Sequence, residues 1–485
     1  MPSAKVKAYK YGAAGQPPFS EDYEIVKNCV LQVTEIKTNH NKYYALELHK
    51  GNLNGEDVFR VFTHYGRTDD LENNPNAGQK ECRYASDLAE AEGIYLTLYK
   101  QKTSAKKGYK EVSLASSKIG SDQARGNSSG KVDDETLAKL NEANSTKKKA
   151  KRKKSSLDSG VQRLVRYLYD EATNALTSTV NAKITANGIE TPIGILTLGQ
   201  IAKGETILEE MYDMFTNKKM SIKVRKNLEK LSGDFYTAIP HRIGRSRDQM
   251  AAAVIDSLEK FDEKQSTLQL MKDMLRVNGE GGSVLFDEEV DAEYKALKCQ
   301  IGFLDSDSEE YQKIAEYIVK SQIKSKSIKV KNVYTLRRDG EWDTFTDDID
   351  NQRHLFHGSR ISNWVGILSR GILLPKIVVS LGVNRTDAGW LGHGIYFGDA
   401  ACTSSFYTTP GHHNTKFMAV ARVALGKMKE YRKITYGLQE PPKGYDSCHG
   451  VRRKPKDHSE FDDDEYVIYT TQQQRLEYLV EFTGG

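Results

Sequence analysis

The sequence predicts a multidomain α+β protein: a small antiparallel-sheet domain, an all-α helical bundle and a mixed α+β domain, in that order. Three observations carry this expectation. At 485 residues the chain exceeds what one hydrophobic core organises, so roughly two to four domains are expected. The apolar period changes along it, from about 2 near the N-terminus to about 3.6 in the middle. A stretch of Ser, Gly, Asn and Lys over 116–156 separates the two regimes.

Residues 1–20 hold Gly and Pro with little pattern. Tyr23–Val26, Val30–Val33, Tyr43–Leu48 and Val58–Thr63 then alternate apolar and polar between Asn, Gly and Asp turns, as antiparallel strands do. Asp87 to Tyr99 sets Leu88, Ala91, Tyr95 and Leu98 at helical spacing. A small α+β domain is therefore expected over 20–115. Residues 116–156 cannot bury enough apolar area to order themselves and read as a basic disordered linker. Within them Lys147 to Lys154 puts seven cations in eight residues, a run that attracts polyanions and in a eukaryote suits nuclear import.

From Leu157 onward Val161, Leu164, Val165 and Leu168 make one helical stripe. Val254, Leu258 and Phe261 make another, continued by Leu268, Met271, Met274 and Leu275. Breakers at Asn187-Gly188, Thr191-Pro192 and Pro240 separate the helices, giving a bundle over 157–280. After Gly279-Glu280-Gly281-Gly282, strands are expected at Ile328–Leu336, Lys416–Leu425, Tyr466–Thr471 and Glu477–Phe482, in a mixed domain over 290–485.

Composition excludes several classes. No apolar run of about 18 residues is present, so no membrane partner is expected. Met1–Lys5 leads to no apolar stretch resembling a signal peptide. A nucleus, or a bacterial cytoplasm or nucleoid, is the expected location. The five cysteines are scattered and form no C-x-x-C pair, which supports neither a disulfide framework nor a cysteine zinc site. His393, His412 and His413 lack a matching Cys or carboxylate spacing, so no metal is expected.

The chemistry concentrates in the last third. Gly358 follows His357 and lets a ligand approach the backbone, whose N–H and C=O can both bond a planar carboxamide. Ser404 adds a compact hydroxyl for the same amide, and Tyr407 a flat face for a cationic ring. Tyr396 closes the other side from a Gly-flanked strand. Glu465 is the carboxylate expected to stabilise positive charge on a ribose as its bond to a pyridinium breaks.

Phe356-His357-Gly358-Ser359-Arg360, Gly392-His393-Gly394-Ile395-Tyr396-Phe397, Ser404-Ser405-Phe406-Tyr407 and Asp464-Glu465-Tyr466-Val467-Ile468-Tyr469 together resemble the catalytic domain of the poly(ADP-ribose) polymerases. Arg385-Thr386-Asp387, Pro442 to Ser447 and His449-Gly450-Val451 most resemble its vault-associated branch. The resemblance implies NAD+ as co-substrate and a His-Tyr-Glu set of His357, Tyr396 and Glu465. It implies that His357 holds a ribose hydroxyl, that Gly358 and Ser404 bond the nicotinamide amide, and that Tyr407 stacks on its ring. Glu465 then orients the nicotinamide ribose and activates the acceptor, while Ser359, Asn363 and Gly366 match positions lining the adenosine side. Two departures stand out: Leu373 where an Arg often stands, and Thr403 where a Lys often precedes the nicotinamide serine.

The helical segment, through Thr191-Pro192-Ile193-Gly194 and Leu231 to His241, resembles the family's regulatory domain. The first domain resembles a WGR domain, with Tyr65-Gly66-Arg67 in the place of Trp-Gly-Arg and Lys106-Lys107-Gly108-Tyr109 in its closing strand. Tyr65 would pack on a terminal sugar while Arg67, Lys106 and Lys107 hold phosphates. The expectation is a DNA-break-responsive ADP-ribosyltransferase acting in DNA repair on acceptor proteins and on itself, and extending poly(ADP-ribose). The alternatives are a mono-ADP-ribosyltransferase, or a nucleic-acid-binding scaffold with an idle transferase domain.

Overall fold

A computed structural model describes residues 6–72, 74, 76–125, 155–180, 183–185, 188–216, 220–241, 243–281, 290–323, 326–374, 389–455 and 458–485. The chain splits into two compact units, Met1–Lys153 with Leu176–Lys272, and Lys154–Ala175 with Asp273–Gly485.

In the first unit three long strands, Tyr23–Glu35, His40–Leu53 and Glu56–Arg67, form the middle of a six-stranded antiparallel sheet. They outrun the short alternating stretches because tight turns join them. At Asn54-Gly55 both residues take positive φ, 54° and 90°, the pairing a two-residue hairpin needs. The helix Leu88–Thr103 begins where the Asp87 carboxylate accepts from the Glu90 N–H at 2.7 Å. It buries Ala91, Ile94 and Tyr95 against Leu31, Tyr44, Leu46, Leu48, Phe59 and Val61. The opposite face packs Tyr43 and Ala45 against Leu71, Val112, Ile119 and Ile193.

Among these apolar groups Glu47 is almost fully buried, at 2% exposure. It accepts from the Ser121 N–H at 2.8 Å, the Ser121 hydroxyl at 2.5 Å and His49 Nε2 at 2.7 Å. The Arg60 guanidinium donates to His49 Nδ1 at 3.1 Å, so the imidazole proton must sit on Nε2 and the ring is neutral. Burial lowers the pKa of His49 in the same sense, although Glu47 opposes it.

Two findings depart from the expected organisation. Residues up to 125 are tied down by buried Ile119 and the Ser121–Glu47 bonds, so the low-complexity composition does not begin a loose chain at 116. The rest of that stretch, with Lys147 to Lys154, lies outside the described residues. Second, the helical segment also carries short strands Lys183–Thr185, Gly188–Thr191 and Gly194–Leu196, which join Leu114–Ser117 in a four-stranded sheet. Thr191-Pro192, read as a helix breaker, instead links the strands Gly188–Thr191 and Gly194–Leu196, while Pro240 follows the helix Ile222–Ala238 as expected. The helices of this unit include Leu198–Thr216, Ile222–Ala238 and the first part of Leu258–Gly281. Gly233 lets Ile222–Ala238 lie directly on the Tyr23–Glu35 strand: a Cβ there would sit 2.5 Å from the Thr34 carbonyl oxygen.

The second unit is built on a nine-stranded sheet. Its order is Cys299–Leu304, Lys329–Arg338, Gln474–Thr483, Lys416–Ala424, Gln352–Gly358, Ile395–Gly398, Glu465–Ile468, Ser447–Gly450 and Met428–Tyr431. The pairing is antiparallel except between the last two strands, which run parallel. The apolar core under it joins Ile314, Ile318, Phe356, Met418, Val420 and Phe482.

Replacing Glu47 by Ala would leave the Ser121 and His49 donors buried without an acceptor. It is expected to destabilise the first unit by about 3 kcal/mol, seen as an earlier transition in thermal unfolding. An unchanged melting curve would show the network to be idle.

Candidate active site

Three neighbouring strands present the expected catalytic residues. His357 lies near the end of Gln352–Gly358, Tyr396 in Ile395–Gly398, and Glu465 opens Glu465–Ile468. The register pairs Phe356 with Gly398, Tyr396 with Val467, and Gly398 with Glu465. Side chains alternate along a strand, so Tyr396, Gly398 and Glu465 share one face, with Tyr396 and Glu465 as diagonal neighbours. Gly398, directly opposite Glu465, leaves that carboxylate facing bare backbone.

The short helix Ala401–Ser405 supplies a second wall. The Ser404 hydroxyl donates to the Phe356 carbonyl at 3.1 Å and is buried. A Cβ on Gly398 would stand 3.2 Å from Ser404 Oγ, and one on Gly358 would collide with the Ser404 carbonyl. Gly358, Gly398 and Ser404 therefore converge, and glycine is required at Gly358 by close approach. Tyr407 follows the helix with its side chain 65% exposed. Partial burial of the phenol raises its pKa, as do the charges of Glu465 and Asp463.

Each titratable group has a role its surroundings select. His357 Nδ1 lies 3.0 Å from the Tyr396 carbonyl, which only accepts, so Nδ1 carries the proton and Nε2 keeps a lone pair. Burial lowers the pKa of the ring, and the neutral imidazole can accept from a hydroxyl. Tyr396 spends its hydroxyl on the backbone, accepting from Leu391 N–H at 3.0 Å and donating to the Gly392 carbonyl at 2.7 Å. What it offers a ligand is its ring. Glu465 is pushed up to about 7, first by burial and then by Asp463. Its carboxylate is thus poised to be ionised just above neutrality.

Ser359, Asn363 and Gly366 continue from the same strand. Asn363 Nδ2 donates to Ser359 Oγ at 3.1 Å. At Gly366 the missing side chain makes room for the carboxylate of Asp273, which Arg370 grips with Nε at 2.6 Å and a second nitrogen at 2.8 Å. Neither Asp273 nor Arg370 was legible as part of this region, because their pairing joins positions 97 residues apart. His412 and His413 hold no metal-like grouping. His412 Nδ1 is 2.5 Å from Glu171, and the His413 ring stacks on Tyr167 at 4.3 Å.

The first unit holds the residues expected to contact DNA. Lys106 and Lys107 are exposed and line a cavity of about 640 Å³, together with Lys37, Lys226 and Lys230. Those three further lysines were missed, since only the fold gathers them. Arg67 is turned inward. Its guanidinium donates to the Asn39 carbonyl and side chain at 2.9 Å and to the Gly244 carbonyl at 2.8 Å, and pairs with Asp69 at 3.0 Å. Three of its five N–H groups are thus spent inside the protein, where the resemblance assigned Arg67 to phosphates. Tyr65 donates toward Gln79 and Glu81, and stacks on Tyr44 with ring centroids 5.4 Å apart. One of its faces is therefore already covered.

Comparison with known proteins gives matches along most of the chain. Residues 308–483 match the poly(ADP-ribose) polymerase catalytic domain, 155–279 the poly(ADP-ribose) polymerase regulatory domain, and 27–116 the WGR domain. The protein mono-ADP-ribosyltransferase PARP4 of Homo sapiens is 33% identical over 60% of this chain and 16% of its own length. The protein mono-ADP-ribosyltransferase PARP3 of Mus musculus is 26% identical over 95% of this chain and 88% of its own. Poly [ADP-ribose] polymerase 1 of Oryza sativa subsp. japonica is 28% identical over 61% of this chain and 32% of its own. The chain thus spans well under a fifth of the PARP4 relatives of Homo sapiens and Mus musculus, 16% and 14%.

Gly358→Ala is expected to weaken binding of benzamide, a carboxamide on a flat ring, by at least about tenfold while leaving far-UV circular dichroism unchanged. Equal titration curves for parent and variant would show that the Gly358 edge is not where a carboxamide docks.

Proposed function

Because the chain belongs to the poly(ADP-ribose) polymerase family, we propose that it is an NAD+-dependent ADP-ribosyltransferase that modifies protein side chains and releases nicotinamide. The observation that carries this reading is the shared face of Tyr396, Gly398 and Glu465, with Ser404 and Tyr407 closing on it. The nicotinamide amide bonds the Gly358 backbone edge and Ser404, its ring lies on Tyr407, and a ribose hydroxyl donates to His357 Nε2. The bond between ribose C1′ and the pyridinium nitrogen breaks, and its electron pair returns to the ring to leave neutral nicotinamide. The sugar becomes oxocarbenium-like, and the ionised Glu465 stabilises that charge across a buried, poorly solvated cleft. The acceptor then attacks C1′ and gives up its proton to the Glu465 carboxylate.

The pH dependence follows in sign. Glu465 works ionised and its pKa is near 7, so the rate falls as pH drops through that value. Glu465→Gln is expected to lower transfer by at least about a hundredfold at pH 8 with the fold intact, read as labelled ADP-ribose on protein. Undiminished automodification in that variant would contradict the assignment.

Single-unit transfer is the product we assign, in place of extension. PARP4 and PARP3 are both described as mono-ADP-ribosyltransferases, and buried Thr403 supplies no cation beside Ser404. Ladders of long product on a gel would reverse this. We assign the first unit to DNA-break recognition and the protein to a nuclear or nucleoid setting, with Lys106, Lys107, Lys37, Lys226 and Lys230 as the phosphate-holding groups. Arg67 instead ties Asn39 to Gly244. Duplex ends are expected to raise activity, with an effect that weakens from 50 to 200 mM salt and with Lys106→Glu and Lys107→Glu combined. Rates indifferent to broken DNA would remove that role. The expected boundaries, 20–115, 157–280 and 290–485, stay proposals for the three domains.

A further inference from the structure

Beside Glu465 lies a charged cluster that the mechanism has not used. Arg452 follows the strand Ser447–Gly450, whose register sets Gly450 against Glu465 and His449 against Tyr466. Its guanidinium is 2.9 Å from Asp399, 3.3 Å from Asp464 and 3.7 Å from Asp463. Its backbone N–H donates to Asp464 at 3.0 Å. Asp399 directly follows the strand of Tyr396, and Asp463 and Asp464 directly precede Glu465. One cation therefore bridges the two strand ends that make the catalytic face.

We propose that Arg452 is a positioning residue, which clamps Asp399, Asp463 and Asp464 together and so offsets, at Asp463, the negative charge that faces Glu465. The proposal rests on the reading of Glu465 given above. Three aspartates packed beside a fourth carboxyl would otherwise favour sharing protons, because like charges at short range disfavour full ionisation.

The other groups facing Glu465 do not substitute for this cation. On its own segment Asp463 opposes ionisation, and Asp462 is occupied by Arg453. From the adjacent strand comes Tyr396, which is neutral, and from the strand beyond it His357, whose pKa burial lowers. Tyr407 comes from the turn after the helix and is neutral as well. His449 donates to Asp464 at 2.7 Å and stacks on Tyr466 at 4.5 Å. Arg353 reaches the Tyr466 hydroxyl at 3.3 Å and lies over that ring. Asp464 itself is lowered despite its burial, by His449 and Arg452. Arg452 alone of these cations contacts both strand ends.

The test is the pH profile of NAD turnover and labelled transfer in the full chain. Arg452→Gln is expected to move the acid limb upward by about one pH unit, a roughly tenfold loss on the limb that is recovered at higher pH. Arg452→Lys, which keeps the charge but loses the fork, is expected to move the limb back toward the parent position. Asp463→Asn, which removes a facing negative charge at constant shape, is expected to move it downward. A structural role would lower the rate equally at every pH. An acid limb that Arg452→Gln leaves in place overturns the proposal and leaves Glu465's role intact. If Arg452→Gln does not fold, limbs unmoved in Arg452→Lys and Asp463→Asn overturn it equally. Transfer retained by Glu465→Gln overturns both readings together.

Discussion

The antiparallel register that sets Gly398 opposite Glu465 is the constraint on which the site depends. A strand's side chains alternate, so a slip of one residue would send Tyr396 and Glu465 to opposite faces of the sheet. Gly398 makes the register useful, since any larger residue would fill the space in front of the carboxylate and crowd Ser404 Oγ. Gly358 does the same from the neighbouring strand, where the Ser404 carbonyl closes over it. The cleft is bare backbone bounded by two rings, an imidazole and one acid, and the sheet holds every part in fixed relation.

Electrostatics follow from that geometry. Burial that excludes water from Glu465 also raises its pKa, so the same surroundings that make its charge effective make the charge harder to hold. His357 faces the opposite situation: burial lowers its pKa against the pull of the Tyr396 carbonyl, and that carbonyl fixes the proton on Nδ1, leaving Nε2 free to accept. The two titratable groups are thereby driven to different protonation states, one poised near neutrality and one kept neutral by burial. The cluster around Arg452 places a cation where the two strand ends carrying Asp399 and Asp464 meet.

Much of this was legible in the chain. Alternating runs marked the three long strands of the six-stranded sheet, with Tyr23–Val26 and Val30–Val33 merged into one strand and ends displaced where tight turns such as Asn54-Gly55 extend the pairing. The proposed set His357, Gly358, Tyr396, Ser404, Tyr407 and Glu465 was named from the chemistry each type offers, and three neighbouring strands carry His357, Tyr396 and Glu465. What stayed hidden were partnerships made by tertiary folding. Asp273 meets Arg370, Ser121 meets Glu47, and Arg452 meets Asp399 across separations that leave no local pattern. The same holds for Arg67, whose bonds to Asn39 and Gly244 join distant stretches that the motif alone does not connect. The ribbon over Lys183–Leu196 was missed because its strands are only three or four residues long and carry the turn residues that also break helices.

The central claim is that the Glu465 carboxylate faces the sugar whose bond to a stacked pyridinium breaks. A crystal structure with a non-hydrolysable NAD analogue tests it most directly. The account expects the nicotinamide ring on Tyr407, its amide on Gly358 and Ser404, and the nicotinamide ribose within hydrogen-bond reach of Glu465. A ring bound elsewhere, or a ribose turned away from that carboxylate, would contradict it.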